Sequence, residues 1–163
     1  MKKFITIILV SIITTIVSQA QTTLFTPGDN QIRAGLGFSS GISNTVLPPV
    51  FVSYEKGVYA INDKAVISVG GFAGGYTEKG YSSNYLAWTL CAHVLAHYSI
   101  TSALDVYAGP FLGYISVGSE NVSVGSFARG MMLGGQYFFS DRWGAFLQLG
   151  GLATVNLGAS YRF

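Results

Sequence analysis

The sequence of 163 residues has one cysteine, four prolines and few charged residues, which make up only 10% of the chain. A lone cysteine, Cys91, excludes an intramolecular disulfide and any motif that needs two thiolate ligands. Soluble domains carry about 25% charged residues, so this scarcity of charge is typical of a membrane protein. The hydrophobic content of 50% also excludes intrinsic disorder.

The first twenty residues have the organisation of a secretory signal peptide. Two lysines precede an apolar stretch, residues 4–17, and Ser18 and Ala20 occupy the −3 and −1 positions of a cleavage site. The apolar stretch is shorter than the roughly 20 residues of a membrane-spanning helix. We therefore expect residues 1–20 to be removed and residues 21–163 to form the mature domain.

The mature part has no excess of charge. Without the two lysines of the signal, the nine basic residues of the chain become seven and balance the seven acidic ones. Nucleic-acid binding needs clustered Lys and Arg, so no nucleic-acid partner is expected. The glycine pairs at 70–71 and 74–75 are followed by neither a lysine nor a helix start, which excludes a phosphate-binding loop, and no cofactor is expected.

After residue 20, no uninterrupted apolar stretch reaches the ~17 residues that a membrane helix requires. The other architecture that satisfies every backbone hydrogen bond in lipid is a closed β-barrel. Residues 32–39 and 154–163 alternate between apolar residues and polar or small ones, as strands with one face in lipid do. The pattern therefore favours a barrel.

Eight segments have this pattern, which predicts an all-β fold: a closed, antiparallel, eight-stranded transmembrane β-barrel with an up-and-down meander. The predicted strands are residues 32–39, 50–56, 65–76, 85–98, 105–115, 127–139, 143–150 and 154–163. The predicted outer connections are 41–49, 77–84, 116–126 and 151–153, and the predicted periplasmic turns are 57–64, 99–104 and 140–142.

The two faces of these strands have different expected roles. Eight strands enclose an interior just filled by side chains, and Phe51, Phe72 and Phe146 are predicted to point into it, which argues against an open pore. Apolar residues of the fourth strand are predicted to point outward, which argues against a soluble periplasmic barrel: Leu86, Trp88, Leu90, Ala92 and Val94. Aromatic residues near the periplasmic strand ends are typical of an interfacial girdle: Tyr54, Tyr98, Tyr107, Phe139, Trp143, Tyr161 and Phe163.

Three charged residues are predicted to share the periplasmic end of the interior. Arg33 and Arg162 lie on the first and last strands, which become neighbours on closure, and Glu55 lies on the second strand. Pairing offsets the cost of burying such charges, which otherwise amounts to several kcal/mol. Two interpretations remain: the cluster neutralises buried charge, or it is a gate whose rearrangement admits ions.

His93 and His97 point to the same face of one strand. A separation of four residues places them about 13 Å apart along the strand, so no shared metal site is expected. His97 and Ser99 are also neighbours on that face, as a lipid A deacylase dyad would be. The His-Ser-Asn run of that enzyme family is not matched by residues 97–100. We therefore predict no catalytic residue and no enzymatic activity.

The end of the chain resembles a known assembly signal. Asn156, Gly158, Tyr161 and Phe163 match the spacing of the β-signal that bacterial outer-membrane proteins present to the barrel assembly machinery. The mature chain as a whole resembles the small eight-stranded outer-membrane barrels of the OmpX and OmpA type. The resemblance implies an outer-membrane location, contact with outer-membrane lipids and passage through the assembly machinery, but it does not imply one function.

The sequence thus predicts a non-enzymatic, integral outer-membrane barrel protein with a structural or surface-interaction role. The outer connections at 77–84 and 116–126 are the expected contact surfaces for an extracellular partner, whose identity nothing in their composition indicates. The alternatives are a narrow ion or small-solute channel and, less favoured, a lipid A-modifying enzyme.

Overall fold

The computed structural model describes residues 24–39, 45–80, 84–119 and 122–163, so the predicted signal peptide at 1–20 lies outside the described residues. Eight β-strands follow one another within these ranges, which confirms the predicted number. They are β1 (Asn30–Phe38), β2 (Thr45–Asn62), β3 (Ala65–Lys79), β4 (Asn84–Ser99), β5 (Leu104–Ser119), β6 (Val122–Phe138), β7 (Trp143–Leu149) and β8 (Val155–Arg162).

The strands form a closed barrel. Each strand pairs antiparallel with the next, and β1 pairs with β8 to complete the ring. At the seam, the amide of Asn30 donates to the carbonyl of Phe163 (3.0 Å) and the amide of Phe163 donates to the carbonyl of Asn30 (2.9 Å). The all-β class and the up-and-down meander are therefore confirmed. No helix in the described residues is long and apolar enough to cross a membrane.

The two faces of the barrel differ as period-two alternation requires. On β4, Leu90 is 61% exposed on the outside, whereas Cys91 and Leu95 are buried inside. The predicted outward residues of this strand are all exposed, and Phe51, Phe72 and Phe146 are all buried, as predicted. A cluster around Phe72, Leu95 and further buried side chains fills part of the interior.

Aromatic side chains lie on the outside near the end that carries Asn30 and Phe163, here called the lower end. The rings of Trp143 and Tyr161 pack there in a tilted arrangement with centroids 4.8 Å apart, and Phe139 is 66% exposed. Tyr107 is the exception to the predicted girdle. It lies inside the barrel, 1% exposed, because the inward positions of β5 are odd-numbered.

The predicted periplasmic turn at 57–64 was wrong. Strand β2 continues to Asn62, and the turn consists of residues 63–64, with Asn62 Oδ1 accepting hydrogen bonds from the amides of Lys64 and Ala65 (both 2.9 Å). Register shifts in the β2–β3 pairing after Gly57 and after Ala60 interrupt the alternation. A bulge places two residues opposite one, so the sequence pattern fades although the pairing continues.

The predicted outer connections at 77–84 and 116–126 were also too long. Strands β2 to β6 extend past the ends of β1, β7 and β8 at the upper end, and their extensions are here called the crown. Ser119 pairs with Val122, and Lys79 pairs with Asn84. The expected loops are therefore mostly hydrogen-bonded hairpins.

The crown has two lateral edges with different chemistry. Strand β7 pairs with β6 only from Leu133 onward, so residues 122–132 of β6 have no neighbouring strand on that side among the described residues. Strand β1 pairs with β2 only from Val50 onward, which leaves residues 45–49 as the other edge. That edge contains Pro48 and Pro49, which lack amide donors and block further strand pairing.

Glycine is required where strands approach closely inside the wall. A Cβ at Gly109 would overlap the carbonyl oxygen of Val94 on the neighbouring strand, which cannot move independently of the sheet. We expect Gly109→Ala to lower the free energy of unfolding by about 1–3 kcal/mol. Gly135→Ala is the matched control, since its Cβ would meet only ordinary contacts at 3.7 and 3.8 Å. Urea titrations in lipid vesicles would test this, and equal stabilities would contradict it.

Candidate functional site

A buried carboxylate at the lower half of the interior contacts polar side chains of three other strands. Glu55 of β2 is fully buried, and its Oε1 lies 3.4 Å from Arg33 Nη2 and accepts a hydrogen bond from Gln31 Nε2 (3.0 Å). Its Oε2 accepts a hydrogen bond from Ser68 Oγ (3.0 Å) and lies 3.2 Å from His97 Nε2. Every lone-pair direction of this carboxylate therefore meets a donor or a cation.

The network continues through His97 to a second carboxylate. His97 Nδ1 lies 2.7 Å from Asp105 Oδ2, which also accepts a hydrogen bond from Gln136 Nε2 (2.9 Å). Gln31 Nε2 donates to Gln136 Oε1 (2.7 Å) and so links β1 to β6 across the barrel. Since both ring nitrogens of His97 face carboxylates, only the protonated imidazole can donate to both at once.

The structure brings together two of the three charged residues predicted to cluster. Arg33 and Glu55 form the ion pair, but Arg162 does not join them. The β1–β8 register places Arg162 opposite Gln31, two positions below Arg33. Its guanidinium instead donates to the carbonyl of Asp141 (2.7 Å) and lies 5.0 Å from the ring centroid of Phe138, where it covers the lower rim.

Sequence reasoning missed the histidines as members of this site. Their backbone positions are separated along β4, yet both imidazoles turn toward Glu55 Oε2, with His93 Nε2 at 3.8 Å and His97 Nε2 at 3.2 Å. The signal available in the sequence was that both histidines point to the same face of the strand. The distance between their backbone positions wrongly suggested that the two imidazoles could not approach one group. No group of three or more His, Cys, Asp or Glu side chains in the described residues is arranged to hold a metal ion.

The lower mouth of the barrel is closed by residues 24–26, here called the N-terminal plug. The Leu24 amide donates to Ser99 Oγ (2.9 Å), and the Phe25 ring, 1% exposed, lies 4.7 Å from the His97 ring. A Cβ at Gly57 would overlap the carbonyl oxygen of Thr26, so glycine is needed for the plug to seat. The plug separates the charged network from solvent below.

Aromatic side chains close the interior above the network. The Arg33 guanidinium lies 4.4 Å from the Tyr107 ring centroid, and Phe51 and Phe146 pack edge to face with centroids 5.8 Å apart. The enclosed space left beside Arg33 and His93 is about 10 Å³, which is room for at most one water molecule. Arg33 lines this space, and its Nε and Nη1 have no hydrogen-bond partner among the described residues.

The four residues of the assembly pattern all belong to β8 or its end. Asn156 is buried, and its Nδ2 donates to the carbonyl oxygens of Gly150 (2.8 Å) and Ala153 (3.0 Å). A Cβ at Gly158 would overlap the Ala34 carbonyl oxygen of β1. Tyr161 and Phe163 stack with centroids 6.0 Å apart at the lower rim. In the closed barrel, β8 is paired on both sides, with β7 and β1.

No protein-family profile and no curated protein matches the chain. Among solved structures it is similar to Ail, the attachment invasion locus protein of Yersinia pestis, with 16% identity and a TM-score of 0.44 over 85% of this chain and 100% of that chain. It is also similar to the N-terminal β-barrel domain of Pseudomonas aeruginosa OprF, with 16% identity and a TM-score of 0.47 over 84% of this chain and 98% of that chain. The ring of paired strands establishes the fold of this chain by itself.

Proposed function

We propose that this chain is an integral outer-membrane barrel protein with a structural or surface-interaction role, and that its crown lies outside the cell. The main evidence for a membrane location is the apolar outer surface of the barrel. Large hydrophobic side chains such as Leu90, Leu133 and Leu147 are 56–61% exposed around the barrel. Contact with lipid removes this surface from water, and the closed ring pairs every strand on both sides below the level at which β7 ends.

The free edge of β6 supports the surface-interaction role. An exposed strand edge offers unpaired backbone groups to an extended segment of a partner. Val122 and Val124 near its tip are 62% and 67% exposed. Unlike the β2 edge, residues 122–132 contain no proline that would block strand pairing. We therefore place the partner-binding surface on the β6 side of the crown.

Attachment assays would test this role with two matched valine substitutions. Val124 lies on the free β6 edge and Val46, 58% exposed, lies on the proline-blocked β2 edge. Cells expressing Val124→Lys should attach less to epithelial cells, to matrix proteins or to one another than wild-type cells do, because an edge lysine opposes strand pairing. Cells expressing Val46→Lys should attach as wild type. Equal attachment of wild-type and vector-only cells to all three surfaces would exclude the role.

The interior geometry argues against the channel alternative. Glu55 and its partners form a closed hydrogen-bonded network, the N-terminal plug covers it below, and aromatic rings cover it above. We expect the wild-type protein to show no discrete conductance steps in planar lipid bilayers. A solute-selective, stepwise current from protein that shows a heat-modifiable gel shift would contradict this expectation.

The same geometry supports no catalytic role. His97 and Ser99 face inward, and Ser99 Oγ accepts a hydrogen bond from the Leu24 amide. His97 uses both ring nitrogens on carboxylates, and Phe25 covers the pair. A lipid acyl bond in the surrounding bilayer has no approach to this dyad. Unchanged lipid A acylation on expression, measured by mass spectrometry, is the expected result.

A further inference from the structure

The barrel wall has a notch at the upper end where β7 stops and β6 continues. A cavity of about 270 Å³ lies there, and its lining includes Phe72, Phe111 and Leu152 from the inside of the barrel. The lining also includes Phe127 and Arg129 of β6. Odd-numbered residues of β6 point outward, whereas Ala128, also in the lining, points inward. A cavity that touches both faces of one strand must pass around its free edge, so the notch opens laterally.

The inner part of the notch is mostly apolar, and the hydroxyl of its one polar side chain, Thr89, donates to the Tyr114 carbonyl (2.9 Å). Phe72 and Phe111 pack edge to face with centroids 5.5 Å apart, and Leu152 of the β7–β8 turn extends over the interior toward β3, where a Cβ at Gly74 would lie 2.8 Å from Leu152 Cδ2. Leu152 thus separates the notch from the charged network below. The cavity is slightly smaller than the ~300 Å³ at which drug-sized sites begin, a size that suits one extended chain.

The outer part of the notch carries an isolated cation. The Arg129 guanidinium has neither an ion pair nor a hydrogen bond with the described residues. Its neighbours on the outer face, Phe127 and Met131, are 63% and 64% exposed. Arg129 lies eight residues above Tyr137 on this face. At about 3.4 Å per residue and a tilt of ~40°, it is roughly 20 Å higher, near the top of an apolar band ~25 Å tall.

We propose that the notch binds one acyl chain of an anionic membrane lipid, whose phosphate pairs with Arg129. The chain enters from the bilayer around the free edge of β6 and lies against Phe111, Leu152 and Phe127. A phosphate at the lipid–water boundary gives Arg129 the charge-assisted hydrogen bonds that the protein does not supply. This inference rests on the proposed membrane location, but it is independent of the attachment role.

Native mass spectrometry of the full mature protein would test the proposal with two lipids that share a myristoyl chain. The probes are lysophosphatidylglycerol, which carries an anionic phosphate, and monomyristoylglycerol, which is neutral and has no phosphate. The wild type should retain the anionic lipid about tenfold better, the ratio that one charge-assisted hydrogen bond provides. Excess inorganic phosphate should not displace it, because the chain supplies much of the binding. Equal retention of the two lipids, or displacement by phosphate, would overturn the proposal.

Three variants locate the binding. Arg129→Gln should remove most of the anionic preference, and Leu152→Trp, which fills the notch, should reduce retention of both lipids. Arg142→Gln is the matched control, because it removes one exposed cation from the lower end. Equal loss in the two Arg→Gln variants would show general attraction and overturn the site. A wild-type protein that neither enters membranes nor shifts in mobility on heating would instead contradict the membrane location.

Discussion

Replacing Glu55 by alanine is expected to lower the free energy of unfolding by about 3–5 kcal/mol, the usual cost of removing one partner from a buried ion pair. The substitution leaves the Arg33 guanidinium and the His97 imidazole without the carboxylate that both now face at 3.4 and 3.2 Å. It also leaves the Ser68 hydroxyl without its carboxylate acceptor and Gln31 Nε2 with Gln136 Oε1 as its remaining acceptor. Water in the space vacated by the side chain would not replace the negative charge that faces these groups.

Urea titration in lipid vesicles would measure this loss through the fluorescence of Trp88 and Trp143, both on the outer wall. Glu78→Ala is the matched control, because Glu78 lies in the crown and is half-buried; a change within about 0.5 kcal/mol is expected there. In the Glu55→Ala background, Arg33→Met should cost less than it does in the wild type, because the cation it removes is already unpaired. Equal effects of Glu55→Ala and Glu78→Ala would contradict the role of the network.

Phe25→Ala is expected to open the lower mouth of the barrel and to destabilise it by about 3 kcal/mol, as truncation of a buried phenylalanine does. The Phe25 ring is 1% exposed and covers the His97 ring at 4.7 Å. Its loss admits water to His97, Ser99 and Asp105. The distinctive readout is chemical: His97 should become reactive to deuterium exchange at its imidazole C2 position, which proceeds through the protonated ring, whereas the wild-type histidine should retain its C2 hydrogen.

The matched control for the plug is Phe139→Ala at the same end of the barrel. Phe139 is 66% exposed on the outer side of the β6–β7 turn, so its truncation should change neither the stability of the interior nor the reactivity of His97. Mass spectrometric peptide mapping after exchange distinguishes His97 from His93. A His97 that reacts equally in wild type and Phe25→Ala would show that the plug does not seal the mouth.

Much of the wall could be predicted from the sequence because alternate residues of a strand point to opposite faces, and the outer face of this barrel is apolar. On β4 this alternation separates Leu90 and Val94, which are exposed on the outer face, from Cys91 and Leu95, which are buried. It also predicted eight strands. This pattern does not extend above the apolar band: the crown residues around Ser119 and Val122 form hairpins by backbone pairing, and their polar or small neighbours resemble loops.

The candidate site was harder to predict. Alternation along a strand indicates which side chains point inward, but not which of them come into contact. The heights at which side chains lie in the barrel depend on the stagger between strands, which alternation does not encode. Arg33 and Glu55 were recognised because β1 and β2 are sequence neighbours. The stagger at the β1–β8 seam places Arg162 too low to join them. The N-terminal plug with Leu24 and Phe25 precedes the first strand. These residues lack the alternation of a strand, so the sequence does not indicate that they point into the barrel.

Accessibility of single cysteines in intact cells tests the central claim most directly, that a closed barrel crosses the outer membrane with its crown outside. The native Cys91 is 3% exposed and faces the interior, so introduced cysteines can be read separately. Ser123→Cys in the crown should react with a membrane-impermeant maleimide on intact cells. Ser140→Cys in the lower turn should react only after the outer membrane is permeabilised. Equal labelling of both positions on intact cells, or recovery of the protein in the soluble periplasmic fraction, would contradict the account.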